Sequence, residues 1–203
     1  MVDSAPVLAP ANEGQELQTV SYDELMKLGS DARVEIVDGE IKEMTPTGWE
    51  HNDYAINIYM ALRSPIVSGK LGLVASDGLI YLMGYTKPHL RDSLVPDVSY
   101  TAKAAIPADW DRKAPFPGVP TLAVEVASPT DDIQDLLLKV AKYLALGTDE
   151  VWVVYPRLKE LHQYRRDTPN TIRIYRDADR IETPLLPTLE LVLSHVFVNA
   201  MWF

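Results

Sequence analysis

The chain has 203 residues, 47% of them hydrophobic, no cysteine and a formal net charge of −10. That length can bury one sizeable core and points to a single domain, and the lack of cysteine excludes disulfide staples, thiolate metal sites and cysteine nucleophiles. With no basic-then-apolar leader and no run of about 18 apolar residues, a soluble cytoplasmic protein without a membrane partner is expected, while the acidity at face value opposes nucleic acid, which is usually met by a basic surface.

Residues 1–20, with Pro6, Pro10 and scattered acids, show no apolar period and read as a flexible arm, leaving 21–203 as the folded domain. Most of the acidity is N-terminal: residues 1–50 carry eleven acids and three bases, residues 51–203 eighteen and sixteen. Ser21-Tyr22-Asp23-Glu24 has the form of a capping box ahead of Leu25 and Leu28, which predicts a short helix closed by Gly29. Val34 and Ile36, then Ile41 and Met44, flank Asp38-Gly39, the dipeptide of a tight hairpin turn. Ala55, Ile56, Ile58, Tyr59 and Leu62 recur at helical spacing over 51–63.

Strands are predicted at 71–75, 79–83, 96–101 and 121–127, with a proline-rich loop at 107–120. The strongest helix spans 130–146. There Ile133, Leu136, Leu137, Val140, Tyr143 and Leu144 make one apolar stripe, Asp131 and Asp132 suit the N-terminal dipole, and Gly147 closes the helix. Residues 151–155 read as a buried strand, so strand, helix and strand form a crossover whose strands are parallel neighbours. Leu161, Gln163, Tyr164, Ile172 and Ile174 predict a terminal hairpin. Between Arg157 and Arg180, seven bases against four acids make either a positive patch or a solvated hairpin face. The order is α/β with a mixed sheet.

Two carboxylates carry the chemistry. Glu125 lies inside the apolar run Leu122-Ala123-Val124-Glu125-Val126, where an ionised side chain is costly to bury without a cation, a metal or a set of hydrogen bonds. Strand alternation puts it on one face with Ala123 and Ala127 and turns Leu122, Val124 and Val126 to the other, so small neighbours leave room beside it. Asp97, after Pro96, can join it across the sheet. Two carboxylates about 4 Å apart repel by roughly 4 kcal/mol at an effective dielectric of about 20, so they stay ionised together only around a cation. Magnesium suits this, needing one or two carboxylates and keeping its waters.

Pro96-Asp97 followed by Glu125-Val126-Ala127 resembles the PD-(D/E)xK nuclease superfamily, and more closely the Uma-two family of restriction-endonuclease-like proteins. The likeness runs from about Tyr22 to Val198. It includes Val34-Glu35-Ile36-Val37-Asp38-Gly39-Glu40, His51 opening a helix, Glu125-Val126-Ala127-Ser128-Pro129, Asp135 four residues before Lys139, Tyr143, and Val151-Trp152-Val153-Val154. It implies a restriction-endonuclease-like fold, a mixed β-sheet flanked by helices, and a metal-dependent endonuclease hydrolysing phosphodiester bonds in DNA. The superfamily pattern wants lysine at position 127, where this chain has Ala127, and the resemblance moves that role to Lys139 on the following helix. At about 100° per residue, Lys139 lies beside Leu136 and Tyr143 and can reach the sheet edge, whereas Lys142 lies nearly opposite the apolar stripe and cannot. A surface pair of Lys139 with Asp135 at i, i+4 is the alternative.

The implied site has Asp97, Glu125 and the Val126 carbonyl holding Mg2+ or Mn2+, with Lys139 orienting water or offsetting charge. Glu35 supports the metal or water from a second strand, and His51 contacts phosphate or orients an acid; an exposed hairpin glutamate and a structural histidine are the respective alternatives. Histidines 51, 89, 162 and 195 lack metal-ligand spacing, and no Gly-rich phosphate loop, dinucleotide fingerprint or Gly-x-Ser-x-Gly elbow occurs. His89, in Lys87-Pro88-His89-Leu90-Arg91, can touch a nucleic-acid backbone. Trp110, beside Arg112 and Lys113, can stack on a base or anchor its loop to the core. The apolar tail from Val196 to Phe203 reads as packing on the core or on a second subunit, and a homodimer is expected because endonucleases that cut both strands often work as symmetric dimers. The competing reading is a catalytically inactive nuclease-like binding or assembly protein, favoured by the acidity and by Ala127.

Overall fold

The computed structural model describes residues 19–29, 32–76, 78–86 and 88–198. In chain order the elements are β1 (Val20–Ser21), α1 (Tyr22–Lys27), β2 (Val34–Val37), β3 (Glu40–Glu43), α2 (Trp49–Ser68), β4 (Gly72–Ser76), β5 (Tyr81–Met83), β6 (His89–Leu90), β7 (Asp92–Leu94), β8 (Val98–Ala102), β9 (Leu122–Val126), α3 (Ile133–Leu146), β10 (Glu150–Tyr155), β11 (Glu160–Arg165), β12 (Ile172–Arg176), β13 (Arg180–Ile181) and β14 (Leu191–Val192).

Six strands make one mixed sheet in the order β12-β11-β10-β9-β8-β4. Within it β9 and β10 are parallel, joined by α3 as the crossover pattern requires, and the other neighbours are antiparallel. Its two faces separate cleanly by strand alternation. Leu122, Val124, Val126, Trp152 and Val154 pack with Ile58, Leu62 and Ile66 of α2, whereas Ala123, Val151 and Val153 pack with Leu136, Val140 and Tyr143 of α3. Each fully buried Ile or Leu there contributes about 1.5–3 kcal/mol. A second, antiparallel sheet runs in the order β3-β2-β7-β5: the β2–β3 hairpin and β5 fall where they are predicted, and the strand β7 that joins them into one layer is what the linear pattern hid. Its central strand, Asp92-Ser93-Leu94, is wholly buried yet mostly polar, so it carries no strand signal.

Local chemistry explains the ends of the elements. Ser21 and Glu24 form the predicted capping box, with the Glu24 amide donating to Ser21 Oγ and the Ser21 amide donating to Glu24 Oε2. The β2–β3 hairpin turns on Asp38 (φ 53°) and Gly39 (φ 84°), both left-handed as a tight primed turn demands. The helix α3 begins at Ile133 rather than at 130 because Asp132 caps it from outside and Asp131 closes the turn before it. Asp132 accepts from the Gln134 amide and Asp131 from the Ser128 amide. Gly147 closes it at φ 115°. Its buried stripe is narrower than predicted, only Leu136, Val140 and Tyr143, and leaves Ile133 and Leu137 exposed. The helix α2 runs past 63 through Pro65, because fully buried Ile66 holds the last turn on the sheet.

Residues 1–18 of the expected arm lie outside the described residues, but Val20 does not belong to an arm: it pairs with Leu90 and is buried. At the other end Val196 is buried and Phe197 meets Tyr54 edge-on at 5.3 Å, so the start of the apolar tail packs on the core; 199–203 lie outside the described residues. Among the described residues no helix is long and apolar enough to cross a membrane.

Candidate active site

The antiparallel register of β8 and β9 pairs Val98 with Val124, which sets Asp97, in the bend before β8, against the C-terminal end of β9. There Asp97 Oδ2 accepts from the Val126 amide at 2.7 Å. Glu125 stands on the opposite face from Val124 and Val126, the face covered by α3. Small Ala123 and Ala127 let the helix bring two polar side chains down onto it. Lys139 Nζ lies 3.0 and 3.1 Å from the two Glu125 oxygens, and Tyr143, one turn on, donates to Oε1 at 2.8 Å.

A third acid enters from the second sheet. Glu35, on β2, accepts from the Val95 amide at 2.7 Å and lies 2.9 Å from Lys139 Nζ, so it is no exposed hairpin glutamate. From the other side of the main sheet His51, in the first turn of α2, places Nε2 3.2 Å from Asp97 Oδ2. Five of the residues singled out in the sequence, Glu35, His51, Asp97, Glu125 and Lys139, therefore meet at one end of the main sheet, and Val126 is beside them. Tyr143 completes the set; its signal was the i, i+4 spacing from Lys139.

Lys142 corrects a sequence expectation. Although nearly opposite the predicted stripe, it reaches a sheet edge after all, that of the second sheet, 2.7 Å from buried Asp92 and 2.8 Å from Asp38. Besides the main sheet, α3 meets a second one, whose β7 and β2–β3 turn lie on the side from which Lys142 projects. Lys139 likewise takes its ion pairs from Glu125 and Glu35, two strands distant in sequence.

The electrostatics of the cluster show a shortage of positive charge. Burial pushes the Glu125 carboxyl up to about 8; Lys139 pulls against this, Asp97 and Glu35 add to it, and the Tyr143 hydrogen bond opposes it. Burial works to lower the Lys139 ammonium, but Glu125 and Glu35 outweigh it and hold it above its ordinary range. His51 follows the same logic: burial lowers it, and the hydrogen bond and charge of Asp97, with a backbone hydrogen bond at Val126, win and raise it. Burial and the Glu125 charge keep the Tyr143 phenol protonated. Three carboxyl groups thus meet the Lys139 ammonium and the His51 imidazole in a site largely closed to water.

The remaining candidates lie elsewhere. His89, on β6, has Nδ1 3.1 Å from Thr19 Oγ1, and its neighbour Lys87 is outside the described residues. His162 pairs with Glu160 at 2.8 Å, and His195 lies in a short 3-10 turn. Trp110 Nε1 donates to the carbonyls of Ala114 and Pro115, and its ring meets Phe116 edge-on at 5.0 Å, which makes it the anchor of its loop. Arg165, Arg166, Arg173 and Arg176 each pair with an acid, as a solvated hairpin face does. Among the described residues no group of three or more His, Asp or Glu is disposed to hold a metal by itself. Any ion here would rest on fewer side chains plus main-chain oxygen and water.

A family model described as "Uma2: Putative restriction endonuclease" matches residues 20–194. No curated protein matches the chain. Among solved structures, that of a putative nuclease belonging to DUF820 from Anabaena variabilis ATCC 29413 is similar with a TM-score of 0.73, covering 88% of this chain and 97% of that chain at 18% identity. At that identity the likeness is one of fold, and it agrees with the mixed sheet flanked by helices seen here. The family match spans both sheets and every residue of the buried acidic cluster, and the chain belongs to the Uma2 family.

Proposed function

We propose that this chain is a metal-dependent endonuclease that hydrolyses phosphodiester bonds in DNA, with residues 21–203 acting as one domain. The observation that carries the reading is Lys139 held between Glu125 and Glu35 beside Asp97, at a single sheet end. The donor set fits a hard divalent cation. Asp97 and Glu125 offer carboxylate oxygens, the Val126 carbonyl offers a third, and the raised Glu125 marks a place where positive charge is wanting. Asp97, Glu125 and the Val126 carbonyl would hold Mg2+ or Mn2+ there, which would supply polarisation of a phosphoryl oxygen and a lowered pKa for bound water.

The chain's own residues do the rest. Lys139 presents an ammonium that stays charged and can turn from the carboxylates to a phosphate oxygen or the attacking water. Tyr143 orients Glu125 through its hydroxyl, and Val95 fixes Glu35 through its amide. His51 holds Asp97 from the first turn of α2, and the Asp97 carboxylate favours its protonated form, which would attract an approaching phosphate. A duplex has two strands to cut, which favours a homodimer as the working form.

The test is a thermal melt of wild type and Asp97→Asn with and without Mg2+ or Mn2+, paired with cleavage of mixed DNA substrates at low salt. Metal-linked stabilisation and cleavage, both lost in the variant, are the expected result. Indifference to metal together with no cleavage would favour the second reading, a catalytically inactive binding or assembly protein, to which the acidity and Ala127 point.

A further inference from the structure

A cleft of about 530 Å³ opens between α1, β2 and the 107–120 loop. It shares a wall with the acidic cluster: Val34 and Val95 line it, Glu35 follows Val34 in β2, and the Val95 amide is the one that holds Glu35. Two kinds of side chain meet there. Met26, Met44 and Leu79 give an apolar, adaptable surface, and Arg33, Arg112 and Lys113 bring three cations to its edge. Among the described residues the side chains of Arg112 and Lys113 enter no ion pair, whereas the arginines of the terminal hairpin are matched to acids. Trp110 pins the loop that carries them, through Ala114 and Pro115, so both cations stand on an anchored segment.

We propose that this cleft binds one unstacked nucleotide of the substrate strand, next to the scissile phosphate. Its phosphate meets Arg112 and Lys113, and its base lies on Met26, Met44 and Leu79. The charge and the apolar floor together select a nucleotide over a simple anion or an apolar peptide, and in a chain of net charge −10 two unmatched cations beside a catalytic cluster mark where a polyanion can approach. The proposal rests on the nuclease reading, because it is the acidic cluster that makes the neighbouring strand a substrate.

The experiment is fluorescence anisotropy with a labelled 12-nucleotide thymidine strand and with an abasic strand of the same length, on the full chain at several salt concentrations. The double variant Arg112→Gln/Lys113→Gln changes exposed residues only, and circular dichroism checks its fold. Affinity for the thymidine strand is expected to weaken at least about tenfold in the double variant, and the slope of log K against log salt to become shallower by about 0.7, the loss of one single-strand phosphate contact. The abasic strand should bind wild type about fivefold more weakly, since it lacks the base whose apolar face covers Met26, Met44 and Leu79. Unchanged affinity in the double variant, equal binding of the abasic strand, or no binding to wild type each overturns the proposal. Metal-linked melting and cleavage by wild type, which do not depend on Arg112 or Lys113 in the nuclease reading, show separately whether that reading stands.

Discussion

Lys139 lies within 3.1 Å of both carboxylate oxygens of Glu125, fourteen residues earlier in the chain. Ala127, two residues after Glu125, is too short to supply an ammonium from the strand, so the helix that returns over the sheet does so instead.

Replacing Lys139 with Met keeps its bulk and removes its charge. Cleavage should fall by about 10²–10³-fold, the usual loss when a preorganised electrostatic group is removed. Asp135→Ala should leave the rate nearly unchanged, because the ion pairs of Lys139 are with Glu125 and Glu35. Single-turnover cleavage of labelled DNA reads both variants, and equal losses in the two would restore the i, i+4 pairing as the role of Lys139.

The metal-free protein should lose stability as pH rises. Glu125 is pushed from 4.5 up to about 8 on folding, so its stabilising contribution is complete below about 4.5 and is lost as pH climbs through about 8. The raised His51 acts in the same sense, its contribution complete below 6.5 and lost above its folded value. Asp38, lowered first by its hydrogen bond to Lys142, acts oppositely and only in acid, where its contribution disappears as pH falls. Chemical denaturation in a chelator from pH 5 to 9 should show the decline, and Glu125→Gln should flatten it. A flat wild-type profile would contradict the assignment of Glu125.

Lys142 joins α3 to the second sheet. Lys142→Met leaves Asp92 buried without its cation, and breaking such a pair should cost about 3 kcal/mol. Asp38 is well exposed and adds little. The loss is measured by urea unfolding; a change under about 0.5 kcal/mol would mean that Asp92 finds water instead.

Glu150 is a buried carboxylate with a purely structural task. Its Oε1 accepts from Trp152 Nε1 and Gln163 Nε2, and its Oε2 from Thr183 Oγ1, at 2.5, 2.7 and 3.0 Å. Glu150→Ala strands three donors and should cost about 3 kcal/mol or more, lowering Tm by roughly 6–12 °C for a chain of this size. Metal-linked stabilisation should survive, since Glu150 lies at the opposite end of β10 from the Glu125 register position.

The main sheet was legible because its signals are local. The 122–126, 133–146 and 150–155 segments spell a crossover in their hydrophobic period alone, and equally local signals, the Asp38-Gly39 turn and the Ser21 and Glu24 cap, showed the β2–β3 hairpin and α1 outside that sheet. Glu125 announced itself for the same reason: a carboxylate in an apolar run must have a partner. The 89–94 segment did not show itself as strands, because Asp92 and Ser93 are buried by the layers around them rather than by their own polarity.

By itself, then, the sequence determined the α/β order, the parallel pair β9 and β10, and the residue types of the acidic cluster. Only the tertiary structure decided that Glu35 and Asp97 share Lys139 and Glu125 as neighbours, that Tyr143 grips Glu125, and that Lys142 turns inward to Asp92. Periodicity reports which face of an element is buried. It does not report what buries it, and the second sheet, closing over α3 from strands about 50 to 100 residues earlier, supplies Glu35 and Asp92 through contacts that no local pattern encodes.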